Sequence, residues 1–265
     1  MKARKGQALH LPNGPLIFVL AQVRITPVLS IEEKIPKIQE ALRKQGFPRF
    51  QTRNIEQKTT DLQGKTIHTE KRKQWEFLDK QNTGSVLLDQ DSIVLQVTEY
   101  SVFEEFVKPL TIALEAVREI VEPSEVERIG LRYVDLVVPS GEKALDSYFS
   151  SSLRGPDLSG AGRRQAFLSE SVVVTGPKSN LIFRYAEAEK GLAFPPDLLP
   201  LSLKLRRDVK LNTRFGLLDL DHYSQQSNDF SVEGVIDKAC ELHMVLDESF
   251  RNSVTDDAIQ EWKQS

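Results

Sequence analysis

The sequence carries one cysteine, Cys240, in 265 residues, so neither an intrachain disulfide nor a cysteine metal knuckle can form. Its four histidines, His10, His68, His222 and His243, make no H-x-x-x-H or H-E-x-x-H spacing, and no metal site is expected. Phosphate-cradling loops of the G-x-x-x-x-G-K and G-x-G-x-x-G types are missing, as is the G-x-S-x-G of an esterase-like nucleophile. No cofactor and no catalytic residue are therefore expected. Charge of one sign is not in excess: 35 basic residues against 38 acidic give a net −3, which supplies no global pull toward nucleic acid or an anionic membrane. Long apolar runs are missing too. PLIFVLAQV, residues 15–23, is too short to cross a bilayer, is interrupted by Gln22 and is followed by Arg24. The basic start of the chain is not followed by a signal-type core and cleavage site, so a cytoplasmic, reducing location without membrane contact is expected.

What remains is an ordinary core-forming composition, 40% hydrophobic and 28% charged. Residues 16–25 (LIFVLAQVRI) read as a central strand. Ser30 with Glu33 has capping-box spacing, and Ile31, Ile35, Ile38 and Leu42 form the stripe of the helix that follows. Pro36 is a reason for that helix to start later or kink. Strands are expected over 50–60, 66–78, 86–88 and 93–97, the middle pair turned at Asn82-Thr83-Gly84, and then a helix over 102–121.

The second half repeats this order. A strand over 126–138 precedes a short helix at 142–153 and a glycine-rich loop, GPDLSGAG, at 155–162. Strands are expected over 167–175, 181–187, 203–211 and 215–223, and a long helix follows a Ser231 cap. Cys240 is expected on the inner face of that helix. The expectation is an α+β fold of two tandem β-α-β4-α units, 1–122 and 123–265, or one continuous saddle, with curved antiparallel sheets and long helices on one face. That topology resembles the TATA-binding-protein-like and helix-grip folds.

Five stretches also carry a resemblance: NGPL at 13–16, WEF at 75–77, YSVFEEF at 100–106, RIGLRYVD at 128–135, and Leu242, His243, Phe250 and Thr255 near the end. Together they resemble a sporadically distributed bacterial family to which no activity is assigned. The resemblance implies a bacterial cytoplasmic protein from defence or toxin–antitoxin-like loci.

The densest chemistry lies in VERIGLRYVDLVVP, residues 126–139. Arg128, Gly130, Arg132 and Val134 share one strand face, and Ile129, Leu131, Tyr133 and Asp135 the other. Arginines four apart lie about 13 Å from each other along a strand. They are too far apart to grip one small anion together, and salt bridges to acids such as Glu99 or Asp221 are expected instead. KLRRDVKLNTR, residues 204–214, puts Lys204, Arg206 and Lys210 outward, and with Arg163, Arg164 and 71–73 it suggests a basic sheet face. Asp219, Asp221 and His222 do not converge on one strand face. His243 is expected to pack against a neighbour and hydrogen-bond to it. The leading expectation is a non-catalytic protein that binds a protein partner, the product of a neighbouring gene or a second copy. The alternatives are a nucleic-acid module using Arg128, Arg132, Lys204, Arg206 and Lys210, and a small-ligand binder or enzyme with a site between the lobes.

Overall fold

The computed structural model describes residues 10–60 and 66–264, and of residues 55–60 and 66–71 the backbone alone. The expectations for His68 and Lys71 therefore lie outside the described side chains. The first half runs β1 (Leu16–Ile25), α1 (Ile31–Lys44), β2 (Arg49–Thr60), β3 (Thr66–Leu78), β4 (Gly84–Leu88), β5 (Ser92–Val97) and α2 (Phe103–Ile120). The second runs β6 (Glu125–Val137), β7 (Ala166–Gly176), β8 (Ser179–Ala188), β9 (Gly191–Leu192), β10 (Lys210–Leu211), β11 (Phe215–Ser224), β12 (Asn228–Asp229), α3 (Val232–Ser253) and α4 (Asp256–Lys263). Among the described residues the fold is α+β, with four α-helices and one large antiparallel sheet in the order β2-β3-β4-β5-β1-β6-β11-β8-β7.

The sheet does not divide at residue 122. β1 and β6 pair at its centre, with Val19 opposite Tyr133 and Val23 opposite Ile129. The period-two alternation of β1 sends Val19, Ala21, Val23 and Ile25 to one face, where α1, α2 and α3 cover them. Phe106, Leu110 and Leu114 of α2 complete that core, and burying each side chain stabilises the fold by about 1.5–3 kcal/mol. α1 starts at Ile31 and runs through Pro36, whose exposed position lets water satisfy the carbonyl that the missing N–H leaves free. Ser30 precedes it without a side-chain cap, so the capping-box reading fails there. Ser231 and Thr255 do cap α3 and α4, accepting from Gly234 N and Ala258 N.

The second half departs from the expected β-α-β4-α order. Residues 142–153 form two 3-10 turns instead of a helix: Leu145, Tyr148 and Phe149 have helical spacing, but the backbone at 148–150 bonds to Ser253 and Thr255 and Phe149 bridges Val254, so a continuous helix is interrupted. Residues 203–211 do not enter the sheet, and only Lys210–Leu211 pairs, with Gly191–Leu192. Three prolines between 195 and 200 and the polar run after them leave a segment that lies across the sheet's second face. There Phe194 meets Phe18 edge-on at 5.6 Å, and Leu198, Leu201, Leu205 and Val209 pack against Ile17, Val134, Leu136 and Leu217. Cys240 is exposed; Ala239 takes the inward position in the stripe Val232, Val235, Ala239, Leu242, Leu246. Among the described residues, no helix is long and apolar enough to cross a membrane.

Candidate functional site

Arg132 and Asp135 leave the same strand on opposite faces and meet opposite fates. On the face crossed by the proline-rich segment, Arg132 is buried and donates to both carboxylate oxygens of Asp219, from Nε at 2.7 Å and Nη2 at 2.8 Å. It also donates to both oxygens of Asp197, at 2.5 and 3.1 Å. Asp219 is shared with Arg184, which in turn donates to Glu170. Burial alone would lower the Arg132 pKa, but the bonds to Asp219 and Asp197 outweigh it and hold the group firmly charged.

Arg128 folds back over Gly130, where an added Cβ would come within 3.0 Å of its guanidinium. It donates to Gln22 Oε1 at 2.6 Å, lies 4.4 Å over the Tyr223 ring and stands 3.9 Å from Asp221. The glycine thus makes room for the arginine's own side chain. Lys204, Arg206 and Lys210 are exposed on the crossing segment, while Arg132 lies sealed beneath it by Asp197. The five residues are not brought together. The other expected contributors to a basic face are individually paired: Arg163 with Glu189, Arg164 with Glu187, Arg72 with Asp91 and Lys73 with Glu32.

The helix face holds a different site. Where the start of β1, the end of β6, the N-terminus of α2 and the last turns of α3 meet, there is a pocket of about 260 Å³. Its inner wall presents Asp135 and Tyr133 from β6, Tyr100 and Phe103 from the approach to α2, and His243 and Phe250 from α3. Glu104, Asp247 and the exposed Arg206 stand around it, so the crossing segment also reaches this end of the molecule. Arg207 fixes it there by donating to the carbonyls of Leu136 and Gly14, each at 3.2 Å.

His243 lies flat on Phe103, with ring centres 4.1 Å apart and planes 7° from parallel. Its Nδ1 is 2.9 Å from the Tyr133 hydroxyl, which donates when the imidazole proton sits on Nε2. Burial lowers the His243 pKa, against the opposing pull of Asp247 and Glu104, and favours that neutral ring. Burial also raises both phenols, Tyr133 and Tyr100. Asp135 is 3% exposed, and no hydrogen bond reaches its carboxyl from the described residues. Burial first, and the charge of Asp219 second, push its pKa up to about 8. At neutral pH the inner wall is therefore a set of uncharged hydrogen-bonding groups among aromatic rings.

Other buried acids nearby each have a cation or a donor on at least one oxygen, although Glu76 Oε1 is left without a hydrogen bond. Asp219 has Arg132 and Arg184, Glu187 has Arg164 and Arg214, Asp91 has Arg24 and Arg72, and Glu76 has Arg53. Asp89 accepts from the Ser92 hydroxyl and the Asp91 N–H. Asp135 stands apart from all of them. Its signal in the sequence is an acid in phase with Ile129, Leu131 and Tyr133 on the apolar side of a strand. Tyr100 and Phe103 fall in the YSVFEEF stretch, but nothing in it points to a pocket.

His222 is used structurally: Nδ1 donates to the Leu242 carbonyl at 3.0 Å, and Nε2 accepts from the Thr175 hydroxyl at 2.8 Å. Among the described residues, no group of three His, Cys, Asp or Glu side chains is placed to hold a metal ion. No protein-family model matches the chain, and no curated protein matches its sequence.

Proposed function

We propose that this chain binds a small organic ligand in the pocket between α2 and α3, at the seam of its two halves. The observation that carries this reading is Asp135: a carboxyl buried without a hydrogen-bond partner is a cost to folding unless something else uses it. Aromatic walls with a few convergent polar groups are what small-molecule sites are made of, and the volume suits a compact ligand. Ligand-observed NMR with a library of small aromatic and aliphatic fragments, followed by protein-observed spectra of the hits, tests the reading. Binders are expected that perturb Tyr100, Phe103 and His243 and are lost in Ser101→Trp, which plugs the lip from an exposed position. Binders that ignore these residues, or that persist in the plugged variant, contradict it.

A second reading, contact with a protein partner, is favoured by the edge strand β7. Leu168 is 70% exposed, Val172 62% and Val174 77%, on a strand whose outer side pairs with nothing among the described residues. Edges of this kind are normally guarded by lysine or proline, and β7 has neither. We keep with this reading the partner from a neighbouring gene that the family resemblance implies; a second copy is the other candidate. Co-expression and sizing of wild type against Val172→Lys test it, since a real edge contact is lost on adding the charge. We also infer that the two halves share an ancestor, because in each the opening strand pairs with the last long strand before its long helix: β1 with β5, and β6 with β11.

A further inference from the structure

We propose that the pocket takes a protonated amine carried on a small apolar or aromatic body, its ammonium seated against the Asp135 carboxylate. The proposal rests on the reading of the pocket as a ligand site and gives that ligand its chemistry. Among the described residues, Asp135 is the buried acid to which the protein itself supplies neither a cation nor a hydrogen-bond donor, and it faces the pocket. An incoming ammonium supplies both, in a charge-assisted bond roughly twice as strong as a neutral one. The rings around it, Tyr100, Phe103, Tyr133 and Phe250, are the surfaces that attract a cation by their electron-rich faces.

The rim agrees. Three acids line the pocket, Glu104, Asp135 and Asp247, against one arginine, the exposed Arg206. The N-terminus of α2 also opens here, and a bare helix start favours anions. Its first turn already carries Glu104 and Glu105, which answer the helix dipole, and an anionic ligand would meet the acids as well. A neutral ligand accepting a hydrogen bond from a protonated Asp135 would gain one neutral bond and leave the rim acids unused.

Calorimetry on the full chain with three probes of one shape, phenethylamine, 2-phenylethanol and 3-phenylpropanoate, separates these cases. Phenethylamine is expected to bind at least about tenfold more tightly than the alcohol, and the acid not measurably. In Asp135→Asn, which keeps shape and removes the charge, that preference is expected to fall to about onefold. In Glu104→Gln with Asp247→Asn it is expected to weaken only about two- to fivefold, as suits exposed charges. Equal binding of amine and alcohol by the wild type, or a preference that survives Asp135→Asn, overturns the amine assignment and leaves the ligand pocket standing. No binding of any probe at millimolar concentration, in protein whose circular dichroism shows it folded, overturns both.

Discussion

β6 compares two ways of burying a charge-bearing side chain three residues apart. Arg132 enters one face and is held by four donor contacts to Asp219 and Asp197. Asp135 enters the other and, among the described residues, is held by none. Desolvation acts on both, so burial alone does not distinguish them; the partners do. The arginine's partners make it a strut that ties the crossing segment, through Asp197, to the sheet. The acid's lack of partners makes it a chemical vacancy at the wall of a pocket.

The largest effect is expected on the paired side. Arg132→Ala leaves Asp219 with one arginine instead of two in a buried setting, and a loss of about 3–5 kcal/mol is expected in chemical denaturation. Replacing both partners, Arg132→Met with Asp219→Leu, should return much of it, because an apolar pair needs no desolvation repaid. If the single substitution costs under about 1 kcal/mol, the strut is not one.

On the unpaired side the sign reverses. The Asp135 pKa is raised, from about 3.9 in an unfolded chain to about 8, so between these values the folded state alone holds the proton. Its contribution to stability is full below about pH 4 and is lost as pH rises toward 8. Asp135→Asn should therefore stabilise the protein at pH 8, by up to about 5 kcal/mol, and hardly at all at pH 4. Equal stability of the two proteins at both pH values removes the contrast with Arg132. The smallest effect is expected from Tyr133→Phe, which deletes the 2.9 Å bond to His243 but leaves the imidazole stacked on Phe103. It should cost about 1 kcal/mol, a melting shift of a few degrees.

The two sides also differed in how far the sequence revealed them. Face alternation in RIGLRYVD separates Arg128 and Arg132 from Tyr133 and Asp135, and the Arg128–Asp221 approach follows from the strand reading. β1, α1 and α2 of the first half follow from periodicity because each has an apolar stripe and a clear stop. The crossing segment does not, since Leu203, Leu205, Val209 and Leu211 alternate as a strand would while packing against a sheet they never join. Nor do residues 142–153, where Leu145, Tyr148 and Phe149 suggest a helix that tertiary packing breaks into turns. The pocket is assembled from residues 100–104, 133–135 and 243–250, which only the pairing of β1 with β6 and the packing of α2 on α3 bring together. That is long-range information, and no local pattern carries it.

The most direct test of the contrast is the titration of Asp135 itself, followed through carbon-13 carboxyl NMR and assigned by the signal missing in Asp135→Asn. The free protein should show this carboxyl protonated at pH 7 and titrating near 8, and saturating phenethylamine should leave it ionised at pH 7. A carboxyl that titrates near 4 in the free protein would mean that Asp135 already has a partner, and the contrast with Arg132 would be void.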